Sequence, residues 1–284
     1  MLELSSGLDD RALAAIAALE REVLAADGGR LKLEWGVLRA RSAEEVNDLR
    51  WWDGDRLVGF LGSYSFGGGE PEVTGMVAPG TRRAGVATRL LDAAVPLWQA
   101  KGHRRVLLVV PRASDAGRAL ALGRGGSLDH SEHAMVLVGT PDEGTPDPSL
   151  GLRPAELSDV PELSRLLEAA FGRPAFDLAD EVSSGRSRTL VIERDGAPVG
   201  TLRVNDEDEG AGIYGFVVDP ALQGKGIGRD VLRRVCRQLR AEGVERIGLE
   251  VAVDNPHALG LYTSTGFAEV TTEDYYALVV PAAP

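Results

Sequence analysis

The apolar positions of the second half of the chain change from an alternating to a helical period. Residues 188–194 and 198–204 alternate about Asp195-Gly196, which predicts two strands joined by a tight turn. A third strand is predicted over 212–218, followed by a glycine-rich loop. Beyond the loop, apolar residues recur at helical spacing: Val231, Leu232, Val235, Cys236 and Leu239. A strand over 246–253, a short helix and a closing strand pair complete the prediction, which is an antiparallel hairpin series followed by one parallel βαβ crossover.

The first half of the chain repeats this order of elements. Pro79 and Pro220 align at an offset of 141, which also places Gly85 on Gly226. A period this long indicates a duplicated domain rather than a solenoid. We predict an α+β protein with two tandem domains over 1–140 and 151–284, each a mixed, mostly antiparallel sheet flanked by helices. The intervening 141–150, rich in proline and glycine, is predicted to be a linker.

Composition and charge narrow the function classes. The net charge of −12 disfavours a nucleic-acid binder and mildly favours cationic partners such as amines. No segment approaches 18 uninterrupted apolar residues, so no membrane span is expected. The amino-terminal residues resemble no export signal and Cys236 is the single cysteine, which together predict a cytoplasmic protein. His130 and His133 stand three apart without further ligands, so no metal site is expected.

The glycine-rich loop has the composition of an anion site. The first N–H groups of a helix have no intrahelical acceptor, and glycines let those amides approach an anion closely. The loop Gln223-Gly224-Lys225-Gly226-Ile227-Gly228 is therefore interpreted as a phosphate cradle. A dinucleotide site stays open as an alternative because Glu250 lies where a ribose-binding acid would, although Asp219–Gln223 intervene between strand and glycines.

Two motifs carry a resemblance to a known family. The string VVDPALQGKGIG resembles the V-x-P-x-x-[QR]-x-x-G-x-[GA] signature of the GNAT-family N-acetyltransferases. The string DNPHALGLYTSTGF, from Asp254 to Phe267, resembles the second signature of that family. The resemblance implies that the loop amides hold the pyrophosphate of acetyl-coenzyme A as cosubstrate. It also implies that the pantetheine arm lies where the strands 212–218 and 246–253 separate.

The resemblance implies roles for individual residues. Tyr262 matches the tyrosine whose phenol protonates the departing thiolate, although a tyrosine packed on the short helix is the competing interpretation. Asn255 matches an asparagine that bonds the pantetheine arm, and a helix N-cap is compatible with that role. A backbone N–H of Val217 or Val218 is expected to polarise the thioester carbonyl. Lys225 is expected to add charge near the phosphates or to be solvated.

The general base is less clearly marked. Many relatives place a glutamate on the third strand, and the stretch AGIYGFVV has none. The candidates are Glu250, Glu209 and a water chain. The acidic run 206–209 is interpreted as a solvated hairpin tip or as a collector of cationic amines. The first half does carry Glu72 on its own third strand.

The first loop keeps the coenzyme signature through Arg82, Arg83, Gly85 and Ala87, and its two guanidinium groups suit phosphate. At an offset of 140 the residues in place of Tyr262, Asn255 and Phe267 are Leu122, Asp115 and Ser127. We therefore predict a catalytically idle first domain, which either binds acetyl-coenzyme A or only completes the fold. A degenerate first copy and an active second copy resemble the mycothiol synthases, which acetylate the cysteinyl amine of a sugar-linked thiol precursor.

The predicted function is transfer of an acetyl group from acetyl-coenzyme A to a primary amine of a small molecule, catalysed by the second domain. The alternative is a non-catalytic acyl-coenzyme A sensor, and a third interpretation is transfer of a longer acyl chain.

Overall fold

The computed structural model describes residues 1–66, 69–172, 178–185, 187–207 and 210–282. The chain divides into two compact units, and their bounds differ from the repeat bounds predicted above. Unit 1 comprises Met1–Glu132 and Thr271–Pro284, and unit 2 comprises His133–Val270. The predicted linker 141–150 thus lies within unit 2, and the last residues of the chain lie within unit 1. The limits of the two domains in the sequence repeat stay a prediction.

Unit 1 is built on a mixed sheet. Its helices are α1 (Asp10–Asp27), α2 (Trp35–Arg39), α3 (Val86–Ala100) and α4 (Asp115–Gly123). Its strands are β1 (Leu2–Ser5), β2 (Asp48–Asp53), β3 (Arg56–Tyr64), β4 (Glu72–Val77) and β5 (Arg105–Pro111), and residues of β6 (Ser127–Leu137) and β12 (Phe267–Val279) are divided between the units. The strand order is β1-β2-β3-β4-β5-β12-β6. The β4–β5 pair is parallel, whereas β1–β2, β2–β3, β3–β4 and β5–β12 are antiparallel.

Unit 2 repeats the plan. Its helices are α5 (Val160–Phe171), α6 (Leu178–Ser184), α7 (Ile227–Ala241) and α8 (Pro256–Ser264). Its strands are β7 (Leu150–Pro154), β8 (Arg188–Arg194), β9 (Ala197–Glu207), β10 (Gly210–Val218) and β11 (Ile247–Ala252), together with residues of β6 and β12. The order is β12-β6-β11-β10-β9-β8-β7, in which β10 and β11 are parallel and β7–β8, β8–β9 and β9–β10 are antiparallel. The α+β prediction is confirmed.

Both faces of each sheet are covered by helices. In unit 2, α7 packs its stripe of Val231, Leu232, Val235, Cys236 and Leu239 against one face. Leu163 and Leu166 of α5 pack on the other face, in one cluster with Val217 of β10. In unit 1, α3 and α1 occupy the two corresponding faces. Because side chains alternate along a strand, each strand residue can be assigned to one face.

The parallel strands separate after a short paired stretch in each unit. In unit 2, β10 and β11 pair only from Ala211↔Ile247 to Ile213↔Leu249, although both strands continue. In unit 1, β4 and β5 pair at Glu72↔Leu107 and Val73↔Leu108 and then diverge. Such a gap exposes backbone groups of both strands, so it can accept an extended ligand as an added strand.

The segment predicted as a linker, and the residues just before it, are bound to α7. The Arg240 guanidinium donates to Gly139 O at 3.1 Å, ahead of the linker, and Arg237 donates to Pro141 O at 3.3 Å, within it. Arg234 Nη2 donates to Asp147 O at 2.7 Å. Carbonyl groups of the linker therefore accept from cationic side chains along one helix, and the segment packs as part of unit 2.

Candidate active site

The glycine-rich loop of unit 2 presents backbone groups to open space. After β10 the chain makes a three-residue 3-10 turn, Pro220–Leu222, and Gly224 and Gly226 adopt left-handed conformations with φ of 76° and 84°. No atom lies within 4 Å of the position that a Cβ would take at either glycine. Helix α7 then begins at Ile227 without a side-chain cap. The first N–H groups of α7 therefore lie at an open, glycine-lined helix N-terminus, which suits a diphosphate.

The other predicted loop residues differ in their contacts. Gln223 Nε2 donates to Val218 O at 3.0 Å, so this side chain fixes the loop to the end of β10. Ile227 is buried in the α7 core. Lys225 is exposed, and its Nζ lies 3.4 Å from Ala221 O. A Cβ on Gly228 would lie 3.2 Å from Leu261 Cδ2, so glycine allows α8 to approach α7 closely here.

Hydrogen bonding distinguishes the two predicted amide donors of β10. Asp219 N donates to Val199 O of β9 at 2.8 Å. Residues two apart on a strand direct their N–H groups to the same side, so the N–H of Val217 also points toward β9. The carbonyl of Val218 instead accepts Gln223 Nε2. Because the N–H and C=O of a strand residue point to the same side, the Val218 N–H points away from β9 and into the gap beside β11.

Phe216 is a further gap-facing residue that the sequence interpretation missed. Its Cζ and Val218 Cγ2 both approach Gly228, so the two side chains share the α7 face and their N–H groups share a direction. The pairing of β9 with β10 is shifted between Tyr214 and Val217, and Gly215 has a φ of 55°. This bulge reorients the strand just before the loop. The signal in the sequence was a glycine inside an otherwise apolar strand.

Tyr262 and Asn255 are placed by α8. The Tyr262 side chain is 8% exposed and packs in the α7 core, with its ring centroid 6.1 Å from that of Phe267. Burial raises the pKa of Tyr262 to about 12, so the phenol is protonated at neutral pH and can act as a proton donor. Asn255 is the N-cap of α8, and its Oδ1 accepts Ala258 N at 3.0 Å. The capping bond uses the amide oxygen and leaves the NH₂ group for a second interaction.

Glu250 lies on the opposite face of the sheet from Tyr262. It directly follows Leu249, the last residue of β11 paired with β10, and the flanking Leu249 and Val251 belong to the α7 core. Alternation therefore places Glu250 on the α5 face. Tyr214, the first residue of β10 beyond its pairing with β11, lies on that face as well. The base candidate Glu250 and the acid candidate Tyr262 thus lie on opposite faces of the unit 2 sheet.

A tyrosine–carboxylate pair on the α5 face was also missed. Tyr214 OH donates to Glu207 Oε1 at 2.7 Å, and Arg203 lies over the Tyr214 ring at 5.9 Å. A Cβ on Gly212 would collide with the Glu207 carboxylate and the Tyr214 ring, so the glycine makes room for this pair. Glu209, the other candidate base, lies outside the described residues.

The loop of unit 1 has the same backbone and different side-chain contacts. Gly85 has a φ of 80° and precedes α3, which also begins without a side-chain cap, and Ala87 follows in the first turn. Arg82 Nε donates to Val77 O at 3.1 Å, which matches the bond from Gln223 to Val218. Both Arg82 Nη groups bind the Asp27 carboxylate, at 2.8 and 2.7 Å, so its charge is already paired. Arg83 has a φ of 66°, where unit 2 has a glycine.

The structure corrects the residue equivalences between the copies. Helices α4 and α8 begin at Asp115 and Pro256, so their offset is 141 and not 140. The position of the Asn255 cap is taken by Ser114, which accepts Gly117 N at 3.2 Å. The position of Tyr262 is taken by Ala121, which is buried in the unit 1 core, whereas Leu122 is exposed. Unit 1 therefore has no phenol at this place.

Three further expectations from the sequence concern the single cysteine, the candidate metal ligands and the helices. Cys236 is buried, and burial raises the pKa of its thiol to about 12, which makes it an inert core residue. Across the described ranges, no three side chains of the metal-binding types come together. No helix in the described part of the chain is long and apolar enough to cross a membrane.

Comparison with known proteins places this geometry in a family. The model of the acetyltransferase (GNAT) family matches residues 159–267. A mycothiol acetyltransferase of Propionibacterium freudenreichii subsp. shermanii is 31% identical over 251 residues, covering 81% of this chain and 77% of that protein. A mycothiol acetyltransferase of Kineococcus radiotolerans is 31% identical over 301 aligned residues, covering 96% and 94%.

Solved structures share the fold over the whole chain. A GCN5-related N-acetyltransferase from Sphaerobacter thermophilus superposes with a TM-score of 0.81 at 19% identity, covering 99% of this chain and 97% of that one. A tandem GNAT protein from the clavulanic acid biosynthesis pathway gives 0.71 at 18% identity, with both chains fully covered. The predicted acyltransferase activity and family resemblance are confirmed: the chain belongs to the GNAT family of acetyltransferases and carries two GNAT units in tandem.

Proposed function

We propose that unit 2 transfers an acetyl group from acetyl-coenzyme A to a primary amine of a small molecule. The observation that carries this proposal is the junction of β10 and α7. The strands β10 and β11 part after three paired residues, and the opened strand leads into an uncapped helix N-terminus with two left-handed glycines. A long ligand with an anionic diphosphate and an amide-containing arm fits both parts of that junction.

The residues of unit 2 supply each requirement of the reaction. Acetyl-coenzyme A, when bound, brings an activated thioester. The N–H groups of Phe216 and Val218 face the strand gap and can hydrogen-bond the arm and stabilise negative charge on the carbonyl oxygen. Glu250 accepts a proton from the acceptor ammonium, directly or through water, and so yields a neutral amine. Tyr262, whose raised pKa keeps the phenol protonated at neutral pH, donates that proton to the leaving sulfur.

The acceptor class follows from the relatives. Proteins named mycothiol acetyltransferase align over most of the chain, which favours an acceptor of the same chemical class. We therefore propose a cysteinyl amine on a sugar-linked thiol precursor, with simpler primary amines as weaker acceptors. The net charge of −12 also favours a cationic acceptor.

An amine panel with thiol-release detection tests the proposal. Wild-type protein is incubated with acetyl-coenzyme A and each amine, and released coenzyme thiol and acetylated product are both measured. Calorimetry with acetyl-coenzyme A is run in parallel. Binding with turnover on at least one amine supports the proposal. Binding without turnover on any amine favours the acyl-coenzyme A sensor, and absence of binding at millimolar ligand refutes both.

A matched pair of variants tests the base. We expect Glu250→Gln to lower kcat/KM for the amine by about 10²–10⁴ and to leave acetyl-coenzyme A affinity unchanged. Glu245→Gln is the control, because Glu245 is exposed and immediately precedes the same strand region. Equal activity of the two variants would show that Glu250 is not the base.

A further inference from the structure

A buried lysine in unit 1 has the surroundings of a bound amine. Lys32 lies between α1 and α2 and is 7% exposed. Its Nζ lies 2.6 Å from Tyr275 OH, 3.2 Å from Glu72 Oε2 and 3.9 Å from Glu132 Oε2. A buried ammonium needs such partners, because desolvation of an unpaired charge costs several kilocalories per mole. Three strands, β4, β6 and β12, contribute one partner each.

The Tyr275 phenol is itself held in place. Lys32 Nζ lies 2.6 Å from Tyr275 OH and 5.2 Å from the ring centroid, so the ammonium lies beyond the hydroxyl end of the ring and not over its face. The His130 ring stacks on Tyr275 with centroids 4.2 Å apart. Tyr275 OH donates to Glu132 Oε2 at 2.8 Å, so the phenol oxygen is turned toward the ammonium as an acceptor. Two carboxylates and one phenol oxygen are acceptors of the kind that bind a primary ammonium ion.

The cluster occupies a defined place on the unit 1 sheet. Leu107, Val109 and Tyr275 pack together on the face opposite α3, and Tyr275 pairs with Val109 in register. Val109 directly follows Leu108, the last residue of β5 paired with β4. The Tyr275 ring therefore lies beside the point where β4 and β5 separate.

Unit 2 lacks this cluster at the matching place. The last paired residues are Val73 and Leu108 in unit 1 and Ile213 and Leu249 in unit 2, so Glu72 corresponds to Gly212. A carboxylate thus replaces bare backbone at the same point of the fold. Unit 2 has the same fold without this ion pair, so the fold alone does not explain why unit 1 has Glu72 paired with Lys32.

We propose that unit 1 contains a site for a primary alkylammonium group and that the chain fills this site with its own Lys32. The internal lysine pairs with both carboxylates and donates to the Tyr275 phenol oxygen, and it closes the sheet face at the strand gap to external amines. All residues of the site belong to unit 1. The inference therefore stands apart from the function proposed for unit 2.

Removing the lysine and supplying the missing atoms tests the site. Lys32→Ala deletes three methylenes and the amine, which together are n-propylamine. We expect the variant to unfold roughly 10 °C below the wild type, because it empties a buried space and leaves the half-buried carboxylates of Glu72 and Glu132 without the Lys32 charge. Addition of about 50 mM n-propylammonium chloride should restore at least half of that loss, since a ligand that binds only the folded state stabilises it.

Controls separate site binding from general salt and solvent effects. Tetramethylammonium and 1-propanol, which lack the N–H donors or the charge, should not restore the variant. Lys101→Ala is the matched lysine variant: Lys101 pairs with Glu45 on the surface of the same unit, and n-propylammonium should not stabilise this variant. Equal effects of n-propylammonium on Lys32→Ala, Lys101→Ala and wild-type protein would overturn the proposal.

Lys32→Met keeps the inference testable if the alanine variant does not fold. Methionine retains most of the packing volume and leaves Glu72 and Glu132, with nearby Glu273, Arg30 and His130, without the Lys32 charge. Glu72→Gln in the same protein then removes one of the two negative charges that Lys32 neutralised. We expect Lys32→Met/Glu72→Gln to unfold at a higher temperature than Lys32→Met alone, because an isosteric neutral group replaces a half-buried charge that has lost the Lys32 ammonium. A double variant no more stable than Lys32→Met would refute an ammonium site.

Discussion

Gly226 and Gly85 form a natural matched pair for testing which unit binds the productive coenzyme. Both precede the first residue of a helix, and their φ angles are 84° and 80°. Neither α7 nor α3 begins with a side-chain cap, and at both glycines no atom lies within 4 Å of an added Cβ. An alanine would therefore collide with nothing in either unit, and its structural cost is the left-handed backbone alone.

That cost can be set against the expected loss of binding. A non-glycine residue in the left-handed region costs about 1–2 kcal/mol, so each alanine variant should lower the unfolding midpoint of its unit by a few degrees. At Gly226 the methyl group also projects into the space before the first N–H groups of α7. Loss of one hydrogen bond to a charged group costs about 1.5–3 kcal/mol, which corresponds to about a 10- to 150-fold higher KM for acetyl-coenzyme A.

Steady-state thiol release gives the KM for acetyl-coenzyme A, and thermal unfolding of the same samples gives the unfolding midpoint. We expect Gly226→Ala and Gly85→Ala to lose similar stability and only Gly226→Ala to raise the KM for acetyl-coenzyme A. Calorimetric titration adds the number of binding sites per chain. Equal KM values for the two variants, or a raised KM only in Gly85→Ala, would refute the assignment of catalysis to unit 2.

Two further substitutions and one labelling experiment test single side chains. Tyr262→Phe should lower kcat by about 10²–10⁴ and leave the affinity for acetyl-coenzyme A unchanged. Because burial raises the pKa of Tyr262 to about 12, the phenol stays protonated and wild-type kcat should not fall between pH 7 and 10 through loss of its proton. A fall of kcat in that range caused by this phenol would contradict its assignment as the acid. Arg83→Gly should stabilise unit 1 by about 1 kcal/mol in denaturant unfolding, because φ at this residue is 66°, and a destabilised variant would show that the arginine side chain matters more. Cys236 should resist iodoacetamide at pH 8 until the protein unfolds, since burial raises its thiol pKa to about 12, whereas rapid labelling of native protein would refute core placement.

The elements that position the site could be predicted because they depend on local signals. The spacing of Val231, Leu232 and Val235 marks one helix face, and those residues do pack in the core of α7. Gly224 and Gly226 mark a turn that needs positive φ, and both adopt it. Each signal lies within about ten residues of the structure that it predicts.

The strand arrangement at the end of each unit could not be predicted in this way. The closing segment was predicted as two strands, Ala268–Thr271 and Tyr275–Val280, within the second domain. The structure has one strand, Phe267–Val279, and its residues from Glu273 onward pair with β5 of unit 1. Hydrophobic alternation indicates which side chains are buried, and it carries no information about which strand lies alongside.

The bulge in β10 changes the offset between the two copies from 140 to 141. The bulge in β10 sets Val73 against Ile213 at an offset of 140, whereas Pro79 and Pro220 differ by 141. Before the bulge, therefore, Glu72 corresponds to Gly212, and after it Ala121 corresponds to Tyr262. A bulge leaves no separate mark in a composition pattern, so only the strand register reveals it.

The comparison of the two loops separates evidence for the fold from evidence for chemistry. Gly85 is required by a φ of 80° at the start of α3, whatever the loop binds, and Arg82 is held by Val77 O and Asp27. The glycine signature can therefore persist in a copy that has no phenol on its short helix. Ala121 in unit 1 takes the buried helix position that Tyr262 occupies in unit 2, so this position of the shared fold does not require a phenol. The presence of the phenol in one copy alone supports the proposal that this copy performs the acetyl transfer.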